Sequence, residues 1–116
     1  MATKPVSLTR EDGRVVCEHL LVAARPLRRM RGLLGRATLP AGEGILLRPA
    51  GSVHTFFMRF PIDVVFLDRE DVVVGIERAL EPWKTAGTRG AKAAVELAAG
   101  ECDRRGVAVG DRLVAA

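Results

Sequence analysis

The stretch that decides the fold reads HTFFMRFPIDVVFLD, residues 54–68. It holds one of the two histidines and the four phenylalanines, and an arginine, a proline and an aspartate interrupt its apolar residues. A core strand normally alternates polar and apolar residues or is apolar throughout. Polar groups among bulky apolar ones cost free energy unless each finds a partner. The stretch therefore marks either a binding site or a closely specified structural joint.

The composition is that of an ordinary globular chain. Its 116 residues suffice for one domain, residues 1–116, with one modest core. A hydrophobic content of 48% and a charged content of 28% are typical of globular domains. No apolar run reaches the roughly 20 residues that cross a membrane, and residues 1–10 lack the apolar stretch of a signal peptide. We therefore expect a cytoplasmic, monomeric domain.

The net charge of +4 comes mainly from 15 arginines, with 3 lysines. This balance permits an acidic partner. Nucleic acid is not favoured, because a nucleic-acid surface usually adds exposed aromatic residues to its positive charge. Here the phenylalanines are clustered in one stretch and tyrosine is absent.

Neither a metal nor a cofactor is expected from the cysteines and histidines. Cys17 and Cys102 lie far apart in the chain and form no CxxC motif, which predicts buried, reduced thiols. A structural zinc site needs four nitrogen or sulfur ligands, and the chain offers two cysteines and two histidines without a cluster.

Turn signals divide the chain into short elements. An Asp-Gly turn at residues 11–13 predicts a hairpin between residues 6–10 and 14–23. Leucines and a methionine at helical spacing, with arginines on the remaining face, predict a short amphipathic helix over about residues 26–36. Residues 93–98 are ambiguous between helix and strand. The pattern predicts a mainly β (α+β) single domain, a β-sandwich or partly closed barrel of about seven to eight short strands with that one helix.

Five motifs carry a resemblance to a known family. RGLLGR (31–36) is similar to its R-G-L-M-x-R, GILL (44–47) to G-M-L-F, and FMR with PIDVVF (57–66) to F/W-M-K/R and P-L-D-V-x-F. VELAAG (95–100) and GVAVGD (106–111) resemble its L-E-L-x-x-G and G-x-x-x-G-D. In this order and spacing they resemble the domain-of-unknown-function 192 family over roughly residues 5–115.

The resemblance implies a mostly β, sandwich-type domain with a short helix, and it implies that residues 93–98 form a strand. It implies no established activity, substrate or cofactor. The chain departs from the family at Met58–Pro61, where many members have a longer spacer that begins with Asn-Thr. A family site that uses this asparagine would not carry over to this chain.

Charged residues within apolar segments have a structural interpretation and a functional one. Arg31 and Arg36 either bond carboxylates or carbonyls where the helix meets the sheet, or they recognise an anion. Asp63 is expected to pair with one of them or with Arg59, because an unpaired buried carboxylate is costly. The same argument applies to Glu96, between two apolar residues. Two carboxylates facing one cleft would instead serve acid–base or metal chemistry.

The aromatic residues of the stretch and one loop residue remain. His54 is either a hydrogen-bonded structural residue or a general base, and no nucleophile motif accompanies it. The phenylalanines are expected mostly in the core, although strand alternation prevents all of them from pointing inward. Trp83 follows a proline in a loop and is either a lid over the core or a binding platform.

Three functions remain open at the level of sequence. The first is a non-enzymatic binding or accessory domain for a small anionic or sugar-like ligand or a peptide segment. The second is a small enzyme that uses His54, Asp63 and Glu96 with an arginine clamp. The third is a structural protein that adds a strand to a partner chain. The candidate binding residues are Arg31, Arg36, His54, Phe57, Arg59, Asp63, Trp83 and Glu96.

Overall fold

The computed structural model describes residues 6–23 and 38–116. The helix predicted over about residues 26–36, with Arg31 and Arg36, lies outside the described residues. The described part of the chain is mainly β, as the sequence predicts, and one helix, α1, spans Glu101–Arg104. Its strands are β1 (Val6–Arg10), β2 (Val15–Ala23), β3 (Glu43–Leu47), β4 (Ser52–His54), β5 (Ile62–Leu67), β6 (Val73–Leu80), β7 (Thr85–Gly87), β8 (Ala93–Ala98) and β9 (Leu113–Ala115).

Seven strands form one sheet in the order β6-β5-β8-β3-β2-β1-β9, while β4 and β7 pair separately. Only β2 and β3 run parallel within the described sheet, and the other neighbours are antiparallel. Residues 93–98 form β8 in the interior of the sheet, between β5 and β3, which confirms the strand that the family resemblance implied. The predicted turn at residues 11–13 joins β1 to β2, and Gly13 adopts the left-handed φ of 89° that this turn requires.

The two edge strands of the large sheet meet at one end. Val72 and Arg112 form an isolated antiparallel bridge just before β6 and β9. The backbone N–H of Val73 donates to the carbonyl oxygen of Asp111 at 2.8 Å, and the N–H of Leu113 donates to that of Asp71 at 3.0 Å. The sheet therefore curls so that its edges touch, without closing into a barrel.

Both faces of strand β5 are buried, which explains why its sequence IDVVFL is apolar apart from Asp63. Every residue of β5 is buried. Val65 and Leu67 belong to an inner core cluster with residues of β1, β2 and β8. Ile62, Val64 and Phe66 belong to a second, outer cluster that includes Val53 and the loop residues around it. Strands covered on both faces read as continuous apolar sequence rather than as an alternation.

The two cysteines lie buried in the inner cluster as free thiols, as the sequence predicts. The thiol of Cys17 donates to the carbonyl oxygen of Gly42 at 3.3 Å. Burial raises the pKa of Cys17 to about 11 and that of Cys102 to about 12. Both thiols are therefore protonated at neutral pH and behave as small core residues.

Helix α1 is attached to the rest of the fold through Glu101, which is buried. Its carboxylate accepts hydrogen bonds from Arg104 at 2.5 and 2.9 Å and from Arg105 at 3.2 Å. Arg105 also contacts Glu18 of β2 through two hydrogen bonds of 2.9 and 2.7 Å. This network joins α1 to β2 across the edge of the inner cluster.

The Glu101 network predicts a loss of stability in acid. The hydrogen bonds from Arg104 hold the pKa of Glu101 below its usual value, although burial acts in the opposite direction. A carboxylate whose pKa is lower in the folded state stabilises the fold above its unfolded pKa of about 4.3, and this stabilisation is lost as the pH falls through the folded value. We expect Glu101→Gln to lower the free energy of unfolding by about 1 kcal/mol at pH 7, since Arg104 is largely in solvent.

Urea denaturation of both proteins from pH 7 to pH 3 measures this effect. The difference between wild type and Glu101→Gln should shrink as the pH falls, because protonated Glu101 no longer binds the arginines as an anion. A difference that stays constant over this range would show that the charge of Glu101 does not stabilise the fold.

Candidate functional site

Thr55 joins two loops at the start of the fold-deciding stretch. Its side chain is fully buried, and its hydroxyl donates to the carbonyl oxygen of Glu81 at 2.5 Å and accepts the backbone N–H of Lys84 at 2.9 Å. Its own N–H donates to the carbonyl oxygen of Lys84 at 2.8 Å. Its carbonyl oxygen accepts the N–H groups of Met58 at 3.2 Å and Trp83 at 2.9 Å. One threonine therefore fixes the loop after β4 against the loop before β7.

Three aromatic residues of these loops, Phe56, Phe57 and Trp83, form what we call the aromatic platform. The ring centroids of Phe57 and Trp83 lie 4.6 Å apart, and those of Phe56 and Trp83 lie 5.9 Å apart. His54 stacks on Phe56 at 4.7 Å. Phe57 is 60% exposed and Trp83 is 58% exposed. Clustered and exposed aromatic rings are characteristic of binding surfaces rather than of a domain core.

Two residues of the platform have a strained backbone. Phe57 has a φ of 68° and Trp83 a φ of 66°, in the left-handed region that bulky residues rarely adopt. This conformation costs about 1–2 kcal/mol per residue. It persists only where surrounding contacts determine it, here through the bonds to Thr55, and such strain concentrates at binding and catalytic sites. The strain supports the interpretation of the platform as a functional surface.

Replacing Phe57 by glycine tests whether its ring is displayed or structural. Glycine adopts the left-handed conformation without the steric cost but loses more entropy on folding. We expect Phe57→Gly to change the free energy of unfolding by less than about 1 kcal/mol. As a control, Phe60→Gly removes a buried ring from the same loop and should cost about 3 kcal/mol or more. Urea denaturation at neutral pH distinguishes these results, and a loss at Phe57 as large as that at Phe60 would make its ring structural.

Positive charge accompanies the platform in sequence. Arg59 follows Phe57 by two residues, and Lys84 follows Trp83 directly. Both side chains are exposed, and neither forms an ion pair with any residue that the structure describes. With no ionic partner among the described residues, these cations are placed to meet a negatively charged group of a ligand.

Asp63 lies away from the platform and has a structural environment. Its side chain is buried and accepts the backbone N–H groups of Ala79 at 2.8 Å, Gly100 at 3.1 Å and Cys102 at 2.9 Å. It connects β5 to β6 and to the start of α1. Within the described ranges Asp63 therefore has three backbone donors and no arginine partner. Arg59 does not pair with it, and Arg31 and Arg36 lie outside the described residues.

Glu96 lies on the opposite face of the sheet from Asp63. In the register of β5 and β8, Glu96 stands opposite Val64, and paired residues share a face. Asp63 precedes Val64 in β5, so its side chain points to the other face. Both carboxylates are only 1% exposed. Asp63 and Glu96 therefore do not face one cleft, which argues against the alternative in which both act with His54 on one substrate.

The structure brings only some of the candidate residues together. His54, Phe57 and Trp83 meet at the platform, and Arg59 lies in the same loop. Phe56 and Thr55 were missed by sequence analysis, since Phe56 had the pattern of a core residue and Thr55 gave no signal of its own. Within the described residues, no group of three or more His, Cys, Asp or Glu side chains could hold a metal ion, and no helix is long and apolar enough to cross a membrane.

Known proteins share both sequence and fold with this chain. A family model described as "Uncharacterized ACR" matches residues 7–115. A UPF0127 protein from Thermococcus sibiricus is 31% identical over 111 residues, which cover 91% of this chain and 71% of that protein.

Two crystal structures have the same fold. One is a protein of unknown function from Novosphingobium aromaticivorans, with a TM-score of 0.79 and 23% identity over 95% of this chain and 83% of that chain. The other, from Sinorhizobium meliloti, is described as "a putative transcription regulator" and has a TM-score of 0.79 and 26% identity over 98% of this chain and 94% of that chain. None of these descriptions states a ligand or a reaction.

Proposed function

The chain belongs to the domain-of-unknown-function 192 family, whose description assigns no activity, and we propose from the geometry that it is a binding module for a peptide segment of another protein. The aromatic platform is the observation that carries this proposal. Phe57 and Trp83 are held in strained conformations that expose their rings. A fold that keeps two such rings in solvent at a cost of about 1–2 kcal/mol each is consistent with selection for contact with a partner.

A peptide partner fits the platform better than a small anionic or sugar-like molecule does. Small-molecule sites are concave and bury most of the ligand. The rings of Phe57 and Trp83 are instead more than half exposed. Tryptophan and other aromatic residues in this setting are typical anchors of protein interfaces.

Binding rather than catalysis is supported by the positions of the two buried carboxylates. Asp63 accepts hydrogen bonds from three backbone donors and points to the opposite face of the sheet from Glu96, and both side chains are buried. Asp63 points to the face of the inner cluster, away from the platform loops, whereas a general acid or base would need to lie within hydrogen-bond reach of a ligand there.

The test uses the fluorescence of Trp83, which is the single tryptophan of the chain. The whole protein is titrated with acidic, basic and apolar pools of short peptides, and with maltose, ATP and a single-stranded oligonucleotide. We expect saturable quenching or a blue shift with a peptide pool, since a partner side chain excludes water from the indole. Phe57→Ala should weaken this binding by about tenfold or more, which corresponds to about 1.4 kcal/mol.

Val109→Ala provides the matched control, since Val109 is an exposed apolar residue in a different loop. It should leave the titration unchanged. Saturation by maltose, ATP or the oligonucleotide, with no response to any peptide pool, would refute a peptide function and assign the platform to that ligand. Peptide binding that Phe57→Ala does not alter would refute the platform as the site.

A further inference from the structure

Strand β7 has an edge that pairs with no other strand among the described residues. It follows Trp83 and Lys84 in the chain, and its one neighbour in the sheet order is β4. The register places Ser52 opposite Gly87, Val53 opposite Ala86 and His54 opposite Thr85. An uncovered strand edge presents backbone groups that can pair with another chain.

The hydrogen bonds at Thr55 identify which backbone groups of β7 point outward. The N–H of Thr55 donates to the carbonyl oxygen of Lys84 at 2.8 Å, so this pair is hydrogen-bonded across the ladder. Hydrogen-bonded and non-hydrogen-bonded pairs alternate in an antiparallel ladder. Ala86 therefore bonds to β4, while the N–H and C=O groups of Thr85 and Gly87 point away from it. Both of these residues are exposed.

The charge of this edge favours an acidic partner. Residues 82–95 contain no aspartate or glutamate but include Lys84, Arg89 and Lys92. All three side chains are exposed, and none forms an ion pair within residues 6–23 and 38–116. Unpaired cations beside a free edge would attract and orient an acidic segment.

We propose that an extended, acidic peptide segment adds to the β7 edge as a third strand beside β4 and β7. This inference rests on the proposed peptide function and names its mode, because the same segment covers the adjacent Trp83. Main-chain hydrogen bonds to Thr85 and Gly87 supply affinity, as in other cases of strand addition. The platform and the cations select the side chains of the segment.

Hydrogen exchange tests the proposal on the whole protein. The probe is a capped peptide in which glutamate alternates with valine, and its counterpart with lysine in place of glutamate is the control. At saturation, the amide protons of Thr85 and Gly87 should exchange at least about tenfold more slowly than in the free protein, because they become hydrogen-bonded. The amide of Ala86, which already bonds to β4, should change little. The lysine peptide should bind at least about tenfold more weakly, which is a difference that added salt reduces.

A pair of variants isolates the backbone group. Thr85→Pro removes the outward N–H at an edge position that tolerates proline, and it should weaken binding by about tenfold or more. Thr85→Val keeps the N–H and should bind like wild type. A thermal midpoint near that of wild type confirms that Thr85→Pro is folded. If this variant does not fold, the exchange measurement on wild type still decides, because unaltered exchange at Thr85 and Gly87 on peptide binding overturns the proposal.

The two proposals fail in different ways. If the glutamate peptide quenches Trp83 fluorescence but leaves the exchange of Thr85 and Gly87 unchanged, strand addition is wrong and platform recognition stands. If the lysine peptide binds as well as the glutamate peptide, the charge preference is wrong. If neither peptide binds at about 1 mM, a concentration that detects even the weakest specific complexes, strand addition of an acidic segment is overturned.

Discussion

Asp63→Ala is expected to lower the free energy of unfolding by about 3–5 kcal/mol. The substitution leaves the N–H groups of Ala79, Gly100 and Cys102 without their acceptor. A buried donor without a partner costs about 1–3 kcal/mol, and hydrogen bonds to a charged acceptor are at the upper end. Water that enters the vacated space reduces the total below the sum of three such losses.

The backbone opposite Asp63 explains the large effect of this residue on the free energy of unfolding. The register shifts between Ile62 and Val64, so that two residues of β6, Arg78 and Ala79, stand opposite Asp63 alone. This bulge places Ala79 at a φ of 49°. The carboxylate holds the bulge and the first turn of α1 at once, and its loss releases both.

Urea denaturation at neutral pH measures the effect against two controls. Asp63→Asn keeps the shape of the side chain but turns an amide NH₂ toward backbone donors. It should therefore lose more than half of the free energy of unfolding that Asp63→Ala loses. Asp103→Ala removes an exposed carboxylate that pairs with Arg78 at 2.9 Å, and solvent screens that pair, so stability should hardly change. An Asp63→Ala protein as stable as Asp103→Ala would contradict the structural role.

Thr55→Val is expected to lower the free energy of unfolding by about 2–3 kcal/mol and to change the emission of Trp83. Valine matches threonine in shape but carries no hydroxyl. The carbonyl oxygen of Glu81 and the N–H of Lys84 therefore lose the partner they have at 2.5 and 2.9 Å. Each unsatisfied buried group costs about 1–3 kcal/mol, and solvent near the loop recovers part of this.

Thr55→Ser separates the hydroxyl from the methyl group. It keeps both hydrogen bonds and should lose only about 1 kcal/mol, from the removed methyl group. Its Trp83 emission should match that of wild type, because the loop before β7 stays attached. If Thr55→Val and Thr55→Ser proved equally stable and emitted alike, the hydroxyl would not be what fixes the platform.

Sequence patterns predicted the strands well because their periodicity and turn chemistry are local. The hairpin around Gly13 could be read in this way. The partners of Asp63 could not be predicted from local patterns. One of its three donors is the N–H of Ala79, which lies in a backbone bulge that no local pattern indicates. The sequence showed that the carboxylate needed partners, but it gave no sign that backbone N–H groups would supply them.

The site was only partly predictable for a related reason. Phe56 and Phe57 are apolar residues of the type found in cores. Their exposure depends on the positive φ of Phe57 and on the hydrogen bonds that a distant loop makes to Thr55. Trp83 was left open between a lid and a platform, and its 58% exposure supports the platform. The separation of Asp63 and Glu96 onto opposite faces follows from strand register, which a single sequence does not specify.

We propose that Trp83 is displayed for binding rather than for stability. The most direct test measures, for wild type and Trp83→Ala, both the free energy of unfolding in urea and the affinity for the glutamate–valine peptide. We expect stabilities within about 1 kcal/mol of each other and a loss of affinity of about tenfold or more. A Trp83→Ala protein that loses several kcal/mol of stability but binds the peptide as wild type does would contradict it, and would make Trp83 a lid over the core.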